Sequence, residues 1–199
     1  MRRLGGSVEE QVAALIHDVS HTALSHFVDV VYEKDGEDYH EDIFEQLVLA
    51  SDIPAILERH NINVQNVIDM TDRSPILEQP LPSLCADRID YTLRDAYTYF
   101  STHKREVVRF VDSLAQSDEG VLYITTIKQA EWFVELFYEE VIEFFLHPTN
   151  IYVNQALKPV LLEAMDAGAI LKDDWLLTDK FFLKSCGAMN LPGGVLIES

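Results

Sequence analysis

At 199 residues the chain can bury one substantial core, and 48% hydrophobic with 25% charged residues is the balance of a globular protein. A formal charge of −19 at pH 7 opposes a phosphate backbone, which excludes general nucleic-acid binding; a bound cation or a local arginine can still admit a small phosphorylated ligand. No apolar run is long enough to span a bilayer, and Cys85 and Cys186 make neither a metal-ligand spacing nor a disulfide framework, so the expectation is no membrane partner and a cytoplasmic location.

In chain order, Ser7-Val8-Glu9-Glu10 fits a capping box, and Val8, Val12, Leu15 and Ile16 follow at helical spacing. This predicts a helix from Ser7 to about His17 or Asp18. Residues 19–38 mix histidines with Asp35-Gly36, a turn signal. Glu41 to Leu49 is amphipathic, and short helices are expected over Pro54–His60 and Val64–Met70. Pro80-Leu81-Pro82-Ser83 breaks the chain, with Ser83 as the cap of a helix from Leu84 to about Tyr99. The β-branched runs Val107–Val111 and Val121–Thr125 flank Asp118-Glu119-Gly120 and predict one small hairpin. A helix apolar on more than one side, and therefore expected at the centre of the core, runs from Lys128 to about Leu146. Another spans about Asn154 to Ala167, closed by Gly168. The fold class is all-α with a minor β element.

Two segments carry chemistry. In the first, His17, Asp18, His21, His26 and Asp29 fall within thirteen residues at the end of an otherwise apolar helix. Imidazole and carboxylate together suit a divalent ion that accepts nitrogen and oxygen ligands, such as Mn, Fe, Mg, Co or Zn. A single His-Asp pair is better explained by a helix C-terminus and a turn cap. Three histidines beside the acid shift the balance toward a site. In the second segment Asp87, Tyr91, Arg94 and Asp95 share one face of a helix, and Cys85, Ile89, Leu93 and Ala96 share another. Taken alone, this is an amphipathic helix with Asp90/Arg94 pairing.

Together the two segments resemble the HD superfamily of metal-dependent phosphohydrolases, and more narrowly its deoxynucleoside-triphosphate triphosphohydrolase branch. The branch pattern HD-x-x-H-x-x-x-x-H is matched from His17 to His26, and D-[KR]-x-D-Y-x-x-R-D from Asp87 to Asp95. The resemblance covers roughly residues 3–183. It implies an HD-domain helical fold over 1–185, with 186–199 as an irregular C-terminal tail. It implies His17, Asp18 and Asp87 as metal ligands, with His21, His26, Asp29 and His40 around the scissile phosphate. Arg88 would contact phosphate, and Tyr91 and Asp95 would address the sugar. The His40 segment, full of acids, reads equally well as surface polarity.

The resemblance also implies a small phosphorylated substrate, of nucleotide type, and homo-oligomer formation. The first histidine of the family's H…HD…D pattern has no counterpart before Ser7, and Met1-Arg2-Arg3-Leu4-Gly5 reads as the tail of the helix that carries it. The chain therefore reads as N-terminally truncated. Two functions stand as expectations: hydrolysis of a nucleotide or related phosphoester, or an HD fragment that keeps the fold without turnover and acts as a binding module.

Overall fold

The computed structural model describes residues 1–34 and 39–187. After a 3-10 turn at Arg2–Leu4, the helices are α1 (Val8–Ile16), α2 (Phe27–Tyr32), α3 (Tyr39–Ala50), α4 (Ile53–Arg59), α5 (Val64–Arg73), α6 (Ala86–Tyr99) and α7 (Lys104–Val111). A hairpin follows, β1 (Leu114–Gln116) and β2 (Leu122–Ile124), then α8 (Ile127–Tyr138), a π-helical segment Glu139–Phe145, α9 (Pro148–Asp166), a 3-10 turn Lys172–Leu176 and α10 (Asp179–Gly187). The fold is all-α with one hairpin, as expected. Among the described residues no helix is long and apolar enough to cross a membrane. The chain divides into two compact units: Met1–His17 with Asp52–His147, and Asp18–Ser51 with the segment from Pro148 onward.

In the first unit α1 starts where the sequence says it should. The Ser7 hydroxyl accepts the Glu10 N–H at 3.1 Å, and the Glu10 carboxylate accepts the Ser7 N–H at 2.8 Å. The other Glu10 oxygen takes the Ser74 hydroxyl at 2.6 Å, which pins α1 to the end of α5. Burial pushes the Glu10 carboxyl up, but the hydrogen bonds from Ser74 and Ser7 outweigh it and hold the group below its ordinary value. The core of this unit joins Ile89, Leu93 and Ala96 of α6 to Phe110 of α7 and Phe133 and Leu136 of α8, with the Phe110 and Phe133 rings stacked at 4.6 Å.

Three expectations for this unit are corrected. Val107–Val111 is helical: Val107, Phe110 and Val111 share one helical face, and Glu106 reaches back to the His103 N–H at 3.0 Å to close the first turn. The hairpin is built instead by Leu114–Gln116, paired antiparallel with Leu122–Ile124, and Ala115 sits opposite Tyr123. Its turn ends at Gly120, at φ +84°, where a Cβ would lie 3.1 Å from the Pro75 ring. The second correction is the cap of α6, which is Cys85 rather than Ser83. Its sulfur accepts the Arg88 N–H at 3.5 Å, while the Ser83 carbonyl accepts from the Arg88 guanidinium. Third, the helix expected at the centre of the core is only partly covered: Phe133 and Leu136 are buried, but Val134, Tyr138, Ile142 and Phe145 are exposed. The π-helical geometry beyond Tyr138 rotates the apolar positions out of register with one buried stripe.

The second unit packs Phe27, Val28 and Val31 of α2 against Leu161 and Ala164 of α9, closed by Trp175 and Phe182, whose rings lie 4.7 Å apart. Helix α9 begins at Pro148, earlier than expected, and ends before Gly168 at φ +70°. Residues 186 and 187 belong to α10, and the rest of the expected irregular tail lies outside the described residues, as does the Asp35-Gly36 turn.

Candidate metal centre

His17 closes α1, its N–H bound to the Ala13 carbonyl at 2.9 Å. Asp87 stands in the first turn of α6, which backbone bonds from Ala86 and Asp87 to the Ile76 and Leu77 carbonyls, at 2.7 and 3.1 Å, hold in place. The result is a contact of 3.0 Å between His17 Nε2 and Asp87 Oδ1. His17 Nδ1 lies 3.1 Å from the Ala14 carbonyl, an acceptor, so Nδ1 carries the proton and donates it there. With that proton placed, neutral His17 presents a bare Nε2 lone pair to a carboxylate oxygen. Two acceptors at this distance need something positive between them, either a second proton on the ring or a cation. Adjacent ligands of a divalent ion bound at roughly 2.0–2.2 Å lie about 3 Å apart, so this donor set fits a metal. Beside the pair opens a pocket of about 560 Å³, with Leu4, Ala14, Leu77, Leu93 and Arg94 among its lining residues.

Farther along α6, the Arg88 guanidinium is engaged locally. It donates to the Ser83 carbonyl, to the Gln79 carbonyl at 3.2 Å and to the Cys85 sulfur at 3.4 Å, while its Nε has no partner. Tyr91 and Asp95 lie on the same side of α6 and are partly buried; burial pushes the Tyr91 phenol up, and the nearby Glu140 carboxyl adds to this. Arg94 pairs with Asp90 on the exposed side, as the amphipathic reading expects. Glu140, absent from the sequence reading, is fully buried and accepts the Thr92 hydroxyl at 2.7 Å.

In the second unit the turn after Asp18 carries His21 and His26. The His21 N–H bonds to the Asp18 carbonyl at 3.1 Å, and His21 Nε2 lies 3.4 Å from the Asp18 carboxylate. Between His21 and His26 the backbone takes two consecutive left-handed residues, Leu24 at φ +60° and Ser25 at φ +54°. Each costs on the order of 1–2 kcal/mol for an L side chain. The strain is held by the Asp179 carboxylate, which accepts the Leu24 N–H at 2.9 Å, and by the Trp175 carbonyl, which accepts from Ala23 at 2.8 Å.

This turn brings His26 edge-on to His21 at 4.8 Å, and His40, at the start of α3, stacks on His21 at 4.2 Å. Asp29, almost fully buried, accepts the Tyr39 N–H at 2.9 Å through one oxygen and lies 3.8 Å from His26 Nδ1 with the other. It therefore anchors the start of the helix that carries His40, while its second oxygen stays beyond hydrogen-bond distance of His26. Burial, then the charge of His21 and His26, push the His40 imidazole below its ordinary value. Asp18, His21 and His40 each offer a ligand atom, all within 4.8 Å of one another. His40 is half-buried and stands among the rings of His21 and His26. Asp179, Thr92 and the left-handed pair escaped the sequence reading because no local pattern marks a contact made from a distant helix.

Over 189 residues, 92% of its length, the chain is 32% identical to the metal-dependent phosphohydrolase cns2 of Cordyceps militaris. Over 180 residues it is 47% identical to the uncharacterized protein YdhJ of Bacillus subtilis. The chain spans about half the length of these relatives, 54% and 55% respectively. No family model matches the sequence, and no solved structure matches it.

Proposed function

We propose that this chain is the HD-type part of a metal-dependent phosphohydrolase that acts on a nucleotide of the deoxynucleoside-triphosphate type or a related phosphoester. The observation that carries the reading is the 3.0 Å approach of His17 Nε2 to Asp87 Oδ1, a nitrogen and an oxygen of the kinds that a divalent ion takes as ligands. The similarity to a metal-dependent phosphohydrolase over almost the whole chain supports it.

In this reading His17, Asp18 and Asp87 hold one divalent ion; the mixed nitrogen and oxygen donors fit Mn, Fe, Mg, Co or Zn. Such an ion lowers the pKa of a bound water and neutralises phosphoryl charge. The histidines do the proton work: His21, His26 and His40 surround the scissile phosphate, with Asp29 beside His26. Arg88 is read as the phosphate contact, and Tyr91 and Asp95 as the groups that face the sugar. The reading extends to a single functional domain over 1–185, a cytoplasmic setting, and self-association through the exposed apolar residues of α8 and α9.

The test is metal-dependent release of phosphate or triphosphate across a nucleotide panel, with Asp18→Ala as control. The expected loss in kcat/KM is at least about a hundredfold, the scale of removing a group that acts on the reacting centre. Activity that is unchanged by Asp18→Ala overturns the assignment. Metal binding without turnover by any nucleotide favours the binding-module alternative.

A further inference from the structure

Glu140 is a buried carboxyl to which the proposed chemistry gives no task. Glu140 has no exposed surface, and the apolar residues buried on its own helix are Phe133 and Leu136. One carboxyl oxygen accepts the Thr92 hydroxyl, and the other has no partner among ordinary donors. Asp95 of α6, one turn beyond Thr92, is an acid within hydrogen-bonding reach of Glu140. Two carboxylates facing each other out of water repel strongly; a single shared proton turns the repulsion into a charge-assisted hydrogen bond. That proton belongs to Glu140, because Glu140 is the fully buried partner and Asp95 is partly solvated and bears the charge at lower cost.

The backbone beneath Glu140 is unusual in the same place. Residues 139–145 wind as a π-helix, ending with the Leu146 N–H on the Val141 carbonyl at 2.9 Å, a five-residue step. A π segment of this kind interrupts the regular face of a helix, and it recurs at functional sites. Here it places Glu140 against α6 while its neighbours Glu139 and Glu143 stay exposed.

We propose that Glu140 is a neutral carboxylic acid that donates a hydrogen bond to Asp95 and so acts as a positioning residue for the Tyr91–Asp95 face of α6. Held this way, Asp95 keeps one oxygen engaged and offers the other as a fixed acceptor for a hydroxyl-bearing ligand. The assignment of that ligand as the sugar of a nucleotide rests on the function proposed above; the carboxyl pair does not. Among the described residues, the ionisable groups that face Glu140 are Asp95, whose charge and hydrogen bond keep the proton on Glu140, and Tyr91, both of α6. Burial is the larger cause, and together they raise the Glu140 carboxyl to about 7.

The test is a carboxyl-carbon NMR titration of the whole chain labelled at Glu, with the Glu140 signal identified by its loss in Glu140→Gln. Glu140 is expected to stay protonated well above the range of the other glutamates, and Asp95→Asn is expected to bring its midpoint down by at least about one pH unit, since an amide donates where a carboxylate repels. A Glu140 that titrates with the other glutamates, or one indifferent to Asp95→Asn, overturns the proposal. If Glu140→Gln fails to fold, the infrared band of a buried protonated carboxyl, compared between wild type and Asp95→Asn, decides the same question.

Where turnover is measurable, Glu140→Gln, whose amide can still donate to Asp95, should leave KM within about threefold. Glu140→Leu should raise KM about tenfold with kcat little changed, the scale of about one lost hydrogen bond. Equal KM for both variants counts against positioning. A chain that hydrolyses nothing but still shows the shifted, Asp95-dependent titration refutes the phosphohydrolase reading and leaves the carboxyl pair standing.

Discussion

Two residues in this protein are held where their ordinary chemistry would not put them. Glu140 is one, and its raised carboxyl has a consequence for stability. Its folded value of about 7 exceeds the usual 4.5, so the folded state keeps a proton that the unfolded state has released. Stability from this group is fully present below about pH 4.5 and is lost as pH rises to about 7. The Glu140→Gln variant, which does not titrate, should therefore show a flatter urea-denaturation profile across that window and be the more stable protein above it. A wild-type profile with the same slope as the variant would contradict this. Asp29 is the other residue. Its replacement by alanine leaves the Tyr39 N–H without an acceptor and should cost about 1–3 kcal/mol in urea denaturation. With the start of α3 released, the His40 ring should shift relative to His21 and His26, visible as altered imidazole NMR shifts.

At the level of elements, the capping box of α1 makes a separable claim. Ser7→Ala removes one of two reciprocal bonds and should cost about 1 kcal/mol. Glu10 also binds Ser74, and its carboxyl is held below the ordinary value. Its contribution is thus present above about pH 4.5 and fades as pH falls through the lower folded value. Acid titration of Glu10→Gln against wild type reads that difference directly. The same elements mark how far local sequence carries. Ser7-x-x-Glu10 names its helix start because both partners are three residues apart. Val107–Val111 misleads because its β-branched composition favours a strand, while its actual geometry follows from Phe110 entering a core that residues from α6 and α8 complete. Ser83 is likewise a good cap by type, but the helix begins only at Ala86, and Cys85 takes the position instead.

Over the whole molecule the charge of −19 acts on every state of the chain. Self-repulsion opposes compaction, so raising salt from low to moderate ionic strength should raise the melting temperature; a fall would mean that attractive pairs dominate instead. Each unit has its own aromatic centre, and Phe110→Ala should cost about 3–5 kcal/mol in urea unfolding, as expected for a buried phenylalanine that leaves a cavity. The all-α class, most helix positions, and the two segments from His17 to Asp29 and from Asp87 to Asp95 were legible in the sequence, since periodicity, caps and residue spacing are local properties. The contact between His17 and Asp87, the stacking of His40 on His21, and the burial of Glu140 against Thr92 were not. Each joins residues far apart in the chain, and only packing decides which polar groups leave water and meet one another.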